Sequence, residues 1–228
     1  MVENVRKPAM TTKNGPGHKR HAALNKERIL RAAIALADKK GIESLSMRRL
    51  AQELGFEVMS LYNHVSNKDE ILDAIVDLVA SEIEPPSSDA HWKTAMRKSS
   101  DSAHKTFLQH PWAARLWWTT TAGTARLAYQ ESLLRRLREA GFSIELTYHA
   151  YHALTMHIVG FTIQELSIQF EKGDLAVLAA KFLGETATDK FPNFVEHVMQ
   201  HVEGSIYENE FEFVLNLLLD GLDRARSS

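Results

Sequence analysis

One stretch constrains the chain more than any other: Ser46 to Leu72, SMRRLAQELGFEVMSLYNHVSNKDEIL. Just before it, Asn25 is suited to cap a first helix carrying Ile29, Ala33, Leu36 and Ala37 on one face. That helix stops at Lys39-Lys40-Gly41, a cationic last turn followed by a residue that tolerates left-handed backbone. Ser46 caps a second helix whose Met47, Leu50, Ala51 and Leu54 form one stripe. Gly55 breaks it inside Leu54-Gly55-Phe56-Glu57-Val58, and a very short third helix ends near His64-Val65. Two helices joined by so tight a turn have helix-turn-helix geometry, in which the helix after the turn lies in a DNA major groove.

Charge supports that reading. The net charge of −2 hides a division: residues 1–68 hold 13 Lys and Arg against 6 Asp and Glu, a net of +7. The remainder holds 14 against 23, a net of −9. A basic head on an acidic body fits a protein that meets phosphates at one end only. The 228 residues contain no cysteine, which excludes a disulfide framework, a thiol nucleophile and a Cys-ligated zinc site, and suits a reducing cytoplasm. No apolar run approaches the roughly 20 residues of a membrane span, and the N-terminus lacks the apolar core of a signal peptide. Residues 1–22, with Arg6-Lys7, Lys13 and Lys19-Arg20 among Gly, Pro, Asn and Thr, read as a disordered basic arm.

Ile29 through Ala37, Gly41, Leu50-Ala51, Leu54-Gly55, Ser60-Leu61-Tyr62, His64-Val65, Asn67-Lys68 and Leu72 together resemble the DNA-binding domain of the tetracycline-repressor (TetR) family of bacterial transcription regulators. The resemblance implies that Ser60, Tyr62, Asn63 and His64 touch bases and phosphates, and that Lys68 reaches a phosphate. Arg48, near the start of the second helix, can reach a guanine edge, since bidentate Arg–guanine pairing is the commonest specific contact. Leu61 and Val65 belong to the core. Tyr62 divides between core and phosphate contact, and Met59 meets either a thymine methyl or solvent.

Asn67-Lys68-Asp69-Glu70 caps a fourth helix carrying Ile71, Ile75, Leu78, Val79 and Ile83, ended by Pro85-Pro86-Ser87-Ser88. The pattern is helical again over 91–109, after Pro111, and over 123–140, 144–170, 174–184, 193–203 and 209–225. Strand signals are nearly absent and no internal repeat is found. The expected fold is all-α: a helix-turn-helix domain over 23–68, a connecting helix over 69–84, and a helical ligand-binding and dimerisation domain over 85–228.

Two late helices are too apolar for a monomer surface. One carries Ala150, Ala153, Leu154, His157, Phe161 and Ile168; the other carries Phe211, Val214, Leu215, Leu218, Leu219 and Leu222. From pattern alone these stripes suit a twofold four-helix interface or intramolecular core equally well. His110-Pro111-Trp112, Glu139 to Ser143, and Phe211 to Asp223 resemble the C-terminal domain of the tetracycline-binding branch. That resemblance implies dimerisation through Ala153, Leu154, His157, Phe161, Phe211, Leu215, Leu218 and Leu222. In that branch a magnesium–drug complex is held by a histidine where this chain has Trp117 and a glutamate where it has Gln164. A drug-contacting histidine there aligns with Glu84. None is kept, although Glu165 adjoins Gln164, so a metal-chelated tetracycline is not the expected ligand.

Phe107, Trp112, Trp117, Tyr148, Tyr151 and Thr155 are the ligand-binding candidates, an aromatic lining with hydroxyls that suits a flat, largely apolar small molecule. Ordinary core packing is the competing reading, for Trp118 above all. The 11 histidines include His197 and His201 at i,i+4 and His149 and His152 at i,i+3. No Glu-x-x-His pair, His-Glu-x-x-His, Gly-x-Ser-x-Gly or phosphate loop accompanies them, so they read as pocket or surface histidines. No catalytic residue, metal or cofactor is expected. The expected function is a cytoplasmic, homodimeric repressor of bacterial genes, binding near-palindromic double-stranded operator DNA and released by a small-molecule inducer, with no membrane contact. An activator or ligand-independent regulator is the alternative. A helical metalloenzyme or hydrolase in the C-terminal domain is weaker still.

Overall fold

The computed structural model describes residues 23–167, 177, 190–203 and 207–227, and every described regular element is helical. The basic arm over 1–22, Ile168 and the 174–184 helix, residue 177 apart, lie outside the described residues. No helix among the described residues is long and apolar enough to cross a membrane.

The head is built from local signals. Helix α1 (Lys26–Lys40) starts where Arg28 N donates to Asn25 Oδ1 at 2.8 Å and ends at Gly41, with φ +78°. A 3-10 turn (Ile42–Ser44) leads to α2 (Met47–Leu54), whose Arg49 N donates to Ser46 Oγ at 3.2 Å. Gly55 closes α2 in the left-handed region at φ +74°, a conformation that costs other residues a clash at Cβ. Helix α3 (Val58–Tyr62) follows, then α4 (Lys68–Ala80), capped by Asn67 Oδ1 on Glu70 N at 2.8 Å. Glu70 answers by accepting from Ser66 N and from Lys26 Nζ, both at 2.6 Å. Its carboxyl is held down to about 2, first by Lys26 and then by Ser66. Ile29, Ala33, Leu50, Leu61, Val65, Ile71 and Ile75 fill the space between these helices.

The body comprises α5 (Trp92–Gln109), α6 (Pro111–Leu116), α7 (Thr124–Glu139), α8 (Ile144–Ser167), α9 (Pro192–Glu203) and α10 (Tyr207–Ser227). Helix α8 packs against α5, α6, α7 and α10, and α6 also meets α1 and α4. Helix α10 is fastened to α5 by Lys93 Nζ, which lies 3.0 Å from Asp220 and 2.9 Å from Asp223, and by Arg97 Nε donating to Asn216 at 2.8 Å.

Candidate nucleic-acid interface and ligand-binding site

Leu61 and Val65, both buried, fasten α3 to the head. That anchoring turns Met59 and Tyr62 outward, 73% and 44% exposed, together with Asn63 and His64, while Ser60 is half-buried. Arg48 and Arg49 are exposed on α2, and Lys68 is half-buried at the start of α4. None of these three cations forms an ion pair among the described residues. Elsewhere cations do pair, as Lys26 does with Glu70 and Arg31 with Glu27, each at 2.6 Å. The cations, hydroxyls and amides of this face have a chemistry that matches phosphates and base edges.

In the body, Phe107 meets Trp117 edge-on with ring centroids 5.1 Å apart, and Trp117 meets Tyr129 at 6.5 Å. Tyr129 is buried, and burial pushes its phenol up to about 12. Ser99 Oγ donates to Glu84 O at 2.8 Å, leaving its lone pairs to the Tyr129 hydroxyl at 3.4 Å. Tyr151, half-buried, is also shifted upward by burial, and its backbone oxygen accepts from Thr155 Oγ1 at 2.8 Å. Phe107 and Trp117 thus form one buried aromatic cluster with Tyr129, Tyr151 interacts electrostatically with Tyr129 and Arg126 beside it, and Thr155 is buried one turn further along α8.

Two of the ligand candidates lie elsewhere. Trp112 is buried, but its Nε1 donates to Asp38 of α1 at 2.6 Å, so it serves the head–body junction. Tyr148 shares a helical stripe with Thr155, seven residues on, yet it stands in the second turn of α8. There its ring folds over His152, centroids 4.3 Å apart, and stays 59% exposed.

Sequence reasoning missed the group at the centre of this cluster. Arg126 is 2% exposed, its guanidinium 5.4 Å from the Trp117 ring. Nη1 donates to Trp117 O at 2.6 Å and Thr120 Oγ1 at 3.0 Å, and Nη2 to Thr120 O at 2.7 Å, while Nε has no partner. The guanidinium thus grips the loop between α6 and α7 from within, although burial draws its pKa down. From the other side, α4 grips the same loop and the first turn of α7. Asp73 accepts from Thr121 N at 2.9 Å, and Asp77 accepts from Ala125 N at 3.2 Å and Arg126 N at 2.8 Å. A Cβ at Gly123 would stand 2.4 Å from the Asp77 carboxylate, so only glycine permits this approach. The available signal was the Asp73/Asp77 pair at i,i+4 on a helix otherwise read for its apolar stripe.

The helices α5, α8 and α10 enclose a second polar group. The Thr162 hydroxyl donates to Ile158 O at 2.6 Å, so at 2.8 Å it accepts from His104 Nδ1–H. His104 Nε2 then faces Glu165 Oε2 at 3.2 Å. Burial lowers His104 to about 4 and raises Glu165, which favours the neutral form of each, and Glu165 Oε2 has no hydrogen-bond partner among the described residues. Phe211 stacks between His104 at 4.1 Å and His157 at 4.7 Å, and its backbone oxygen accepts from His157 Nε2 at 3.0 Å.

That arrangement divides the expected dimer stripe. Leu154, Phe211 and Leu215 are buried within a single chain, as are Ala150 and Leu219, because α8 and α10 pack against each other and against α5. Ala153, His157, Phe161, Leu218 and Leu222 remain half-exposed at the rim. The outward apolar residues are Met156, Phe213 and Leu217, each more than half exposed, beside an exposed Gly160 with open space around it.

Comparison with known proteins agrees with both halves. Residues 29–75 match the family described as bacterial regulatory proteins, tetR family, and residues 84–226 match the tetracyclin repressor-like, C-terminal domain. An HTH-type transcriptional regulator of Saccharopolyspora erythraea is 36% identical over 139 residues, 60% of this chain; the match spans only 59% of that relative's own length. The HTH-type transcriptional repressor DrrR1 of Streptomyces coeruleorubidus is 28% identical over 214 residues, 88% of this chain and 77% of that one. The crystal structure of the Streptomyces coelicolor TetR family protein ActR, in complex with actinorhodin, superposes with a TM-score of 0.77 at 29% identity. That likeness covers 91% of this chain and 100% of ActR. The fold and its exposed basic head define a helix-turn-helix regulator. The chain belongs to the TetR family of bacterial transcription regulators.

Proposed function

We propose that this chain is a homodimeric transcriptional repressor whose operator binding is relieved by a flat, largely apolar small molecule. The observation that carries the reading is the unpaired face of Arg48, Ser60, Tyr62, Asn63, His64 and Lys68, in a stretch (residues 1–68, arm and head together) of net charge +7. Two such heads, related by a twofold axis, would enter successive major grooves about 34 Å apart on a near-palindromic operator in the bacterial cytoplasm. The head spans 23–68, joined by 69–84 to a ligand-binding and dimerising body over 85–228. Met156, Phe213 and Leu217, with the rim residues Ala153, His157, Phe161, Leu218 and Leu222, suit the dimer face. DrrR1 is a named repressor and ActR a protein crystallised with actinorhodin, which supports both repression and a small-molecule ligand.

The inducer would enter among Phe107, Trp117, Tyr129, Tyr151 and Thr155. Because Arg126 ties that cluster to the α6–α7 loop, and Asp73 and Asp77 tie the loop to α4, a ligand that displaces Trp117 would shift the helix bearing Lys68. Ligand and operator must then weaken one another by the same factor. Trp117 offers an indole N–H and no lone pair for a cation, and Gln164 is a poorer magnesium partner than a carboxylate, so magnesium-tetracycline is not the inducer. The test is selection of bound duplexes from a random pool, followed by affinity measurement on the winning site and on random DNA at about 0.15 M salt. A specific site bound at least roughly a thousandfold more tightly is expected. Equal affinity for both would defeat the reading.

A further inference from the structure

The head is joined to the body at a second place, apart from the grip of α4 on the α6–α7 loop. His110 occupies the corner between α5 and α6, its side chain 12% exposed. Its ring stands between two carboxylates: Nδ1 is 2.9 Å from Asp38 Oδ1 at the end of α1, and Nε2 is 3.2 Å from Glu82 Oε2 in the turn after α4. The same Asp38 oxygen accepts from Trp112 Nε1 at 2.6 Å, and the Trp112 ring meets His110 edge-on at 6.1 Å.

An ionised carboxylate only accepts hydrogen bonds, and a neutral imidazole has one N–H to give. Both contacts are therefore hydrogen bonds only when the ring carries two protons. When it carries one, a nitrogen lone pair faces a carboxylate oxygen and one side of the bridge fails. We propose that His110 is a proton-operated pin of the head–body joint. As an imidazolium it fixes α1 and the end of α4 to the α5–α6 corner. As a neutral ring it holds one carboxylate and releases the other, while the Trp112–Asp38 bond survives as the pivot about which the head swings.

The other charged groups around the ring do not replace it. Arg115 of α6 and Glu43 share a cleft with Asp38, and Glu84, Lys98, Asp101 and Lys105 share a groove with Glu82. The Lys105 amine is engaged by Asp101 at 2.7 Å. The inference goes beyond the repressor reading and stands without it, because it concerns the angle of the head in the absence of DNA and ligand.

The chain has no cysteine, so Met59→Cys on the head and Arg135→Cys on the body, both exposed sites, would carry a unique pair of spin labels. Labelled chains diluted into unlabelled ones report the intrachain distance by pulsed electron resonance at about pH 5.5 and about pH 8.5. One narrow distance population is expected at the lower pH and a broadened or second population at the higher. His110→Gln should be broad at both. Glu82→Gln supplies an amide that can donate to the bare Nε2, and should be narrow at both. A parent distribution unchanged between the two pH values would overturn the proposal. So would a pH response that survives in His110→Gln, which would assign it to His104, His157 or Glu165 instead.

Discussion

The head and the body solve opposite problems with polar side chains. In the head, the groups proposed to meet DNA form no ion pair among the described residues: Arg48 is exposed and Lys68 half-buried, beside a small core anchored by Leu61 and Val65. In the body, polar side chains are enclosed and held from within: Arg126 is 2% exposed and donates to three acceptors, with its Nε left over, and His104 is wedged between Thr162 and Glu165. A surface built to meet a polyanion costs little when unoccupied, because water solvates its cations. A buried cation or imidazole costs several kcal/mol unless partners are provided. The body is therefore where substitution does most damage to stability, and the head is where it damages recognition.

The largest expected effect tests where the body's core ends and its partner face begins. Leu215→Glu places a carboxylate at a position with no solvent access, and should cost several kcal/mol and unfold the body in a thermal melt. Phe213→Glu with Leu217→Glu changes two outward residues of the same helix. That double variant should keep a cooperative melt while shifting sedimentation from dimer to monomer. If the double variant sedimented as the parent dimer, the outward face would not be the interface. A folded Leu215→Glu dimer would undo the comparison altogether.

Acid separates the two regions next. His104 has a folded pKa of about 4, below its unfolded 6.5, so the unfolded chain takes up more protons between those values. Stability from His104 is complete above about 6.5 and is lost as pH falls towards about 4, on the order of 2 kcal/mol at most after solvent screening. In the head, Glu70 is depressed from 4.5 to about 2. Its contribution is present above 4.5 and lost only as pH falls towards about 2, and partial exposure keeps it below roughly 1 kcal/mol. Denaturant melts from pH 7 to 4 should show the body weakening first, and His104→Gln should flatten that slope. A slope unchanged in His104→Gln would remove this group from the account.

The head was legible in the sequence because its determinants are local. Asn25, Ser46, Asn67 and Gly55 act within a few residues of themselves, and the structure has each cap or turn where its spacing demands. The body was legible as helices but not as partners. A stripe such as Leu154 or Leu215 announces a buried face without saying which helix covers it, so pattern alone leaves core and interface equally open. Trp112 looked like pocket lining because the Asp38 it serves lies 74 residues away. Arg126, a charged residue in the first turn of α7, reads as surface until the α6–α7 loop is folded over it.

The central claim is that the exposed face of α2 and α3 reads base edges while Lys68 holds the backbone. The direct test is Arg48→Ala beside Lys68→Ala, each measured by fluorescence anisotropy on the selected site and on random duplex across a salt series. Arg48→Ala should lose about 1–3 kcal/mol on the selected site and little on random DNA. Lys68→Ala should weaken both alike and flatten the salt slope by about one unit. An Arg48→Ala protein that lost affinity equally for both duplexes, or for neither, would contradict the assignment of that face to sequence reading.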